Sequence, residues 1–453
     1  MTVTASPTSS PSSPAGLTPV AAGILEDLRV SPTPYHAAAR AAELLEAAGF
    51  TECDPARPLP SGPGPRFLRT GGSLAAWVQP ETFDGVLLVG AHTDSPNLRV
   101  RTRPDVTSAE VSLVGVEVYG GVLLNSWLDR DLGLAGRVSV RDASGAISQR
   151  LWCESEPILR IPQLAIHLDR EIRDKGLDLN PQQHIRPLWA LGPADEGAVR
   201  AYVAAGLGVE PEAVLAWDLM AFDTQPPAVV GRDRDLFASA RIDNLVSSFC
   251  AVRALAGSAG PAGPVGDGNG SIGADGGRMP MVALYDHEEI GSESATGASG
   301  SWLASVLERV AVAAGLDRAG YLAALARSLV ISADGAHATH PNYADKHEPS
   351  HHVHLNGGVV LKRNANQRYA TDAVSEAEVV AAAADAGVPI QYYIHRNDLP
   401  CGSTIGPITA ARLGVPTVDI GAPQLAMHSC RETAGLADLD HLHTLLRAAW
   451  SRP

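Results

Sequence analysis

The sequence predicts an α/β fold in which a three-layer domain, a mixed sheet flanked by helices, is interrupted by an inserted β-rich domain. Three observations predict it. The 453 residues exceed what one ordinary core accommodates, so two domains are expected. Continuous apolar runs at 85–90, 281–285 and 329–332 have the texture of strands buried on both faces. Between the first and second of these, from about residue 99 to 239, short alternating segments take over, as in a sheet with one buried face.

Taken in order, residues 1–17 are rich in Ser, Thr and Pro and read as a disordered tail. From 21 to 49 the spacing of Ile24, Leu28, Ala38, Ala42, Leu45 and Ala48 predicts two helices broken at Ser31-Pro32-Thr33-Pro34. Strands follow at 74–78 and 85–90, and the second runs directly into Ala91-His92-Thr93-Asp94. Segments 111–118 and 137–141 alternate and belong to the inserted domain, placed at 99–239; the interrupted domain then comprises 18–98 and 240–453. The stretch 257–278 is dominated by Gly, Ala, Pro and Ser and reads as a flexible surface insertion. It lacks the Lys-Ser/Thr ending of a phosphate loop.

Composition narrows the function. A hydrophobic content of 45% with 19% charged residues is that of a globular protein. The formal charge of -15 argues against nucleic acid, whose phosphates need a basic face. Five scattered cysteines without a CxxC pair fit reduced thiols rather than a disulfide framework. The N-terminus has neither a basic nor an apolar signal region, and no apolar run nears the roughly 20 residues of a membrane helix. A soluble, cytoplasmic protein without membrane contact is the expectation.

Five segments place a candidate ligand after a strand-like run or in a turn: His92 in AHTDSP, Asp243 in ARIDNL, Glu288-Glu289 in DHEEIGS, Asp334 in SADGAH and His428 in QLAMHS. Open α/β sheets put their sites at such strand ends. Two imidazoles and three carboxylates make a mixed N/O set that suits zinc, manganese or cobalt. Two divalent ions about 3.5–4 Å apart need a carboxylate between them. Asp243 is the natural bridge, with His92 and Asp334 on one ion and Glu289 and His428 on the other. Glu288 would then stay free of metal and serve as general base. Asp94, two residues past His92, can accept the imidazole's other N–H and fix its tautomer.

Long ordered motifs carry a resemblance beyond this arithmetic. AHTDSPNLRV, YGGVLLNSWLDRDLGLAGRV, ILRIPQLAIHLDR, LNPQQHIRPL, ARIDNL, DHEEIGSESATGA, ADGAHATHPNYADKHEP, LKRNANQRYATD, DLPCGSTIGP and QLAMHSCRE resemble the aspartyl aminopeptidase family of metallopeptidases, from about residue 20 to 450. The resemblance implies removal of N-terminal Asp or Glu from peptides with a free N-terminus. It also implies a co-catalytic centre of two zinc ions and a homododecamer built from dimers, with the inserted domain as dimerisation domain. By motif, His92, Asp243, Glu289, Asp334 and His428 become metal ligands and Glu288 the base. His337, Lys362 and Tyr369 become substrate contacts, and His167 reaches a neighbouring subunit's site. Lys362 would supply the positive charge that recognises an acidic side chain.

Other readings are a broad or neutral-residue aminopeptidase, an oligomeric scaffold that keeps the fold, and a two-metal deacetylase or carboxypeptidase. The dense histidines His340, His347, His351, His352 and His354 imitate a metal cluster. No HExxH accompanies them, and HHVH alternation would split neighbours across a strand, so a loop around the site or a subunit contact is expected instead.

Overall fold

The computed structural model describes residues 16–259 and 277–452. The expected tail lies, up to residue 15, outside the described residues, as does 260–276 of the Gly-rich stretch. Residues 257–259 are not loop: they end the helix Ile242–Ala259. Packing of that helix on the sheet overrides the poor helix propensity of Gly257.

A nine-stranded mixed sheet forms the middle layer. Its order is Thr51–Glu52, Gly64–Thr70, Ser73–Gln79, Met279–Tyr285, Val86–His92, Leu329–Ala333, Thr417–Gly421, Val359–Arg363 and Ile390–Ile394. The four strands from Met279–Tyr285 to Thr417–Gly421 run parallel, so their C-terminal ends emerge at one edge. Alternate side chains serve opposite layers. Leu87, Val89 and Ala91 pack with Ile24, Leu45, Phe249 and Leu442 on one face, whereas Val86 and Leu88 pack with Leu303, Leu307, Ala324 and Ile405 on the other.

The two N-terminal helices are Pro19–Val30 and Pro34–Ala47. Each starts with Thr-Pro. Thr18 and Thr33 accept from the backbone N–H three residues on, and the proline sits where no N–H is needed. Asp27 on the first helix is fully buried and takes Arg40 Nε of the second at 2.9 Å and Arg253 Nε of Ile242–Ala259 at 2.6 Å. One carboxylate thus ties three helices together.

Between Val86–His92 and Ile242–Ala259 the chain builds a closed six-stranded barrel. Its strands are Asn97–Ser108, Val111–Tyr119, Asp131–Arg141, Ile147–Arg160, Leu188–Leu191 and Val214–Asp223. First and last strands pair, with Leu98 opposite Ala221. The barrel has its own core around Leu134, Val138, Val203 and Leu219. A five-stranded sheet, Ala228–Val230, Leu236–Ser239, Glu432–Gly435, Pro423–Leu425 and Ala336–His337, lies beside the strand-end edge and carries the chain to His428.

Removing the shared carboxylate by Asp27→Ala leaves Arg253 without its ion-pair partner and Arg40 with only the more exposed Glu43, 3.0 Å from its Nη1. We expect the urea unfolding midpoint to drop by the equivalent of about 3 kcal/mol, near the lower end for a broken buried pair because both arginines are partly hydrated. An unchanged midpoint would show that apolar packing alone holds the helices.

Candidate metal centre

The parallel strands deliver polar residues to a single place. Val86–His92 ends on His92, Leu329–Ala333 is followed by Asp334, and Met279–Tyr285 leads into the turn Glu288–Ile290. Asp243 stands in the first turn of Ile242–Ala259, and His428 follows the short strand Pro423–Leu425. His287 and His428 take left-handed backbone conformations, φ 71° and 67°, which turn the chain sharply enough to aim the acids and the imidazole inward.

His92 Nε2 lies 3.5 Å from Asp243 Oδ1 and 3.4 Å from Asp334 Oδ1. His428 Nε2 lies 3.5 Å from Asp243 Oδ2 and 3.3 Å from Glu289 Oε2. Each oxygen of Asp243 therefore faces its own imidazole–carboxylate pair. These separations exceed charge-assisted hydrogen bonds, which run at about 2.7–2.9 Å. They match the spacing of tetrahedral ligands: bonds of about 2.0–2.1 Å place neighbouring donors about 3.3–3.4 Å apart. Asp243 Oδ1 and Glu289 Oε1 are buried without a hydrogen-bond partner among the described residues, as oxygens kept for a cation would be. The N/O donor set fits zinc.

The charges point the same way. Burial, with Asp334, Asp94 and Asp243 nearby, pushes the Glu288 carboxyl up to about 8 against the opposing pull of His92. Burial and Asp243 likewise hold the Glu289 carboxyl well above the usual range. A site that makes carboxylates this uncomfortable is one a divalent cation relieves.

Both imidazoles are oriented from behind. His92 Nδ1 donates to the Asp94 backbone carbonyl at 3.0 Å, and His428 Nδ1 donates to the Gly121 carbonyl at 3.0 Å. Both leave Nε2 with its lone pair toward the centre. For His92 this corrects the expected partner. The Asp94 carboxylate stands farther off, at 3.5 Å, because it turns toward the Glu288–Ile290 segment. There it accepts the N–H of Glu288 at 3.0 Å, the N–H of Glu289 at 3.1 Å and the Tyr119 hydroxyl at 2.7 Å.

Glu432 escaped the sequence reading. It is buried, its Oε2 accepts the Asp243 N–H at 3.1 Å, and its Oε1 accepts the His428 N–H at 3.0 Å. Its only signal was an acid four residues past His428 inside QLAMHSCRE.

His337, Lys362 and Tyr369 line, with the five candidate ligands and Glu288, a cavity of about 210 Å³. Lys362 lies within the strand Val359–Arg363 and is buried. Its Nζ donates to the carbonyls of Asp334 at 3.0 Å and Gly335 at 3.2 Å, and it stands 5.3 Å from the Tyr369 ring centre. His167 is not brought into this group; it is exposed in the segment after Ile147–Arg160.

The histidine-rich segment is a loop. Residues 351–354 form no strand, and His351, His352 and His354 are all exposed while Val353 alone is buried. The chain there is held by Thr339, which accepts the Val353 N–H, rather than by a ladder. Among the described residues, groups of three or more His, Cys, Asp or Glu side chains close enough to share an ion occur only at the strand-end centre.

Comparison with known proteins agrees with this geometry. Residues 28–450 match the family model described as aminopeptidase I zinc metalloprotease (M18). A probable M18 family aminopeptidase 2 of Streptomyces coelicolor is 46% identical over 94% of this chain and 96% of its own. Ape4, solved in complex with Nbr1, superposes with a TM-score of 0.89 at 33% identity, covering 95% of this chain and 85% of that one. The mApe1 dodecamer of S. cerevisiae gives a TM-score of 0.81 at 27% identity, over 96% and 97% of the two chains. The chain belongs to the M18 family of aminopeptidases, the aminopeptidase I zinc metalloproteases.

Proposed function

We propose that this chain is a co-catalytic two-zinc aminopeptidase that prefers peptides with an N-terminal Asp or Glu. The observation that carries the reading is Asp243, whose two buried oxygens each face a separate imidazole–carboxylate pair. His92 and Asp334 would hold one ion, Glu289 and His428 the other, with Asp243 between. Zinc, when bound, supplies the Lewis acidity that activates water and polarises a carbonyl.

Glu288 accepts the proton of the attacking water and delivers it to the leaving amine as the C–N bond breaks. It lines the cavity beside the candidate ligands and stands outside the two imidazole–carboxylate pairs around Asp243, although it is also close to His92 and Glu289. Asp94 fixes the backbone that carries Glu288, and the Gly121 carbonyl fixes His428. Lys362 brings a buried ammonium to the wall of the same cavity, where an acidic side chain of the substrate would meet it, with His337 and Tyr369 alongside.

A second reading, a broad or neutral-residue aminopeptidase, is favoured by the company of Lys362. Two carbonyls already occupy it, and its ammonium lies 3.9 Å from Asp334 Oδ2.

Twelve chains in a shell built from dimers is the assembly we propose, by analogy with the yeast dodecamer. His167 sits among Leu164, Ile166 and Leu168, which are 57%, 48% and 75% exposed, and such an apolar segment asks for a second copy to cover it. The inserted barrel that carries it would be the dimerisation domain. Five free thiols, at Cys53, Cys153, Cys250, Cys401 and Cys430, support a reducing, cytoplasmic setting.

Three measurements test these points. Glu288→Gln should keep about two zinc ions per chain and lose about 10³-fold in kcat; normal turnover removes Glu288 from the role. Lys362→Met should cut kcat/KM for Asp and Glu substrates about 100-fold while Leu substrates lose only a few-fold, as removal of a buried ion-pairing charge predicts. Equal losses favour the broader specificity. Sedimentation should find a species of twelve 47.2 kDa chains, broken down by Leu168→Asp; a monomer in the unsubstituted protein rules the assembly out.

A further inference from the structure

The motif YGGVLLNSWLDRD belongs to the barrel, yet its first residues lie against the metal centre of the other domain. Tyr119 ends the strand Val111–Tyr119, is 6% exposed, and donates its hydroxyl to Asp94 Oδ2 at 2.7 Å. The Arg99 guanidinium stacks on its ring at 3.7 Å, holding the phenol from the barrel side. Gly120 follows with φ +75°, and a Cβ there would stand 3.1 Å from Glu289 Cβ and 3.2 Å from the Glu289 carbonyl oxygen. A Cβ on Gly121 would stand 3.1 Å from His428 Nδ1, the nitrogen that donates to the Gly121 carbonyl. Two residues further, the Leu123 N–H donates to the His428 carbonyl at 3.2 Å.

We infer that the Tyr119-Gly120-Gly121 turn is the barrel's contribution to the reaction, with Tyr119 as the positioning residue for the Glu288-Glu289 pair. The inference rests on the proposed roles of those two acids. Tyr119 acts only through Asp94. The Asp94 carboxylate spans two backbone N–H groups, and without the phenol Oδ2 keeps only the Glu289 N–H, a weaker hold on the turn that presents both glutamates. The phenol pins Oδ2 and so fixes the direction in which Glu288 points. The two glycines keep side chains out of the seam, so that the turn can lie directly on Glu289 and His428. The α/β domain alone therefore holds the acids but not their alignment.

Tyr119→Phe removes one oxygen and keeps the ring under Arg99. In the zinc-loaded enzyme we expect kcat to fall about tenfold with KM within about twofold, and zinc to pass faster to a colorimetric chelator, because Glu289 rides on the same turn. The melting temperature should stay within a few degrees. Added to Asp94→Ala, the same substitution should cost nothing more, since the path runs through that carboxylate. A kcat within twofold of the unsubstituted enzyme overturns the inference, as does a loss that adds in full to that of Asp94→Ala. Glu288→Gln measured in parallel separates the two claims. Full activity there refutes the assignment of the base, whereas an inactive Glu288→Gln beside an unaffected Tyr119→Phe removes only the role of Tyr119.

Discussion

Like charges crowded into a buried space are the constraint on which this structure turns. Asp94 and Asp334 are buried just past the ends of parallel strands and Asp243 at the start of Ile242–Ala259, with Glu288, Glu289 and Glu432 beside them. No packing of apolar side chains makes such a group stable; cations, imidazoles and backbone N–H donors must. The surroundings supply them in layers. Two imidazoles face the inner carboxylates, backbone N–H groups meet Asp94 and Glu432, and Lys362 closes the cavity from the strand next to it. The three-layer sheet is what allows this, because it is rigid enough to hold repelling groups at fixed separations.

Much of this was legible in the sequence, for a physical reason. Buried parallel strands are continuous apolar runs, and their C-terminal ends are where function collects, so GVLLVGAHTD and MVALYDHEE announce both strand and site. The break between the first two helices was equally plain, because Ser31-Pro32-Thr33-Pro34 interrupts the apolar spacing locally. The fold class followed from the change of texture between these runs. What could not be read was anything settled by distant contact. Closure of the inserted strands into a barrel depends on Leu98 finding Ala221. Glu432 is functionally placed only because a separate five-stranded sheet folds it under Asp243.

Side-chain direction was the other blind spot. Two-residue spacing put Asp94 within reach of His92, but spacing does not say which oxygen arrives. The backbone carbonyl took the imidazole and the carboxylate went elsewhere. The histidine run at 351–354 was expected as a loop and is one, anchored by Thr339 and Val353, but which of its side chains would be buried was not legible. Lys362, a substrate contact by motif, is a rung of the strand Val359–Arg363, which is why its charge is buried. In each case the residue type was informative and its orientation was not.

The pairing of the barrel's first and last strands has a consequence for how the chain assembles. His92 and Asp243 face each other from positions separated by the whole barrel. If that segment were a flexible loop, bringing its ends together would carry a logarithmic entropy cost that rises with length. Because Asn97–Ser108 and Val214–Asp223 are neighbours, the chain leaves the barrel one strand spacing, about 5 Å, from where it entered. To the α/β unit the long excursion is therefore equivalent to a short turn. The barrel meets the closure cost within its own fold, and the two ligands meet as if they were close in sequence.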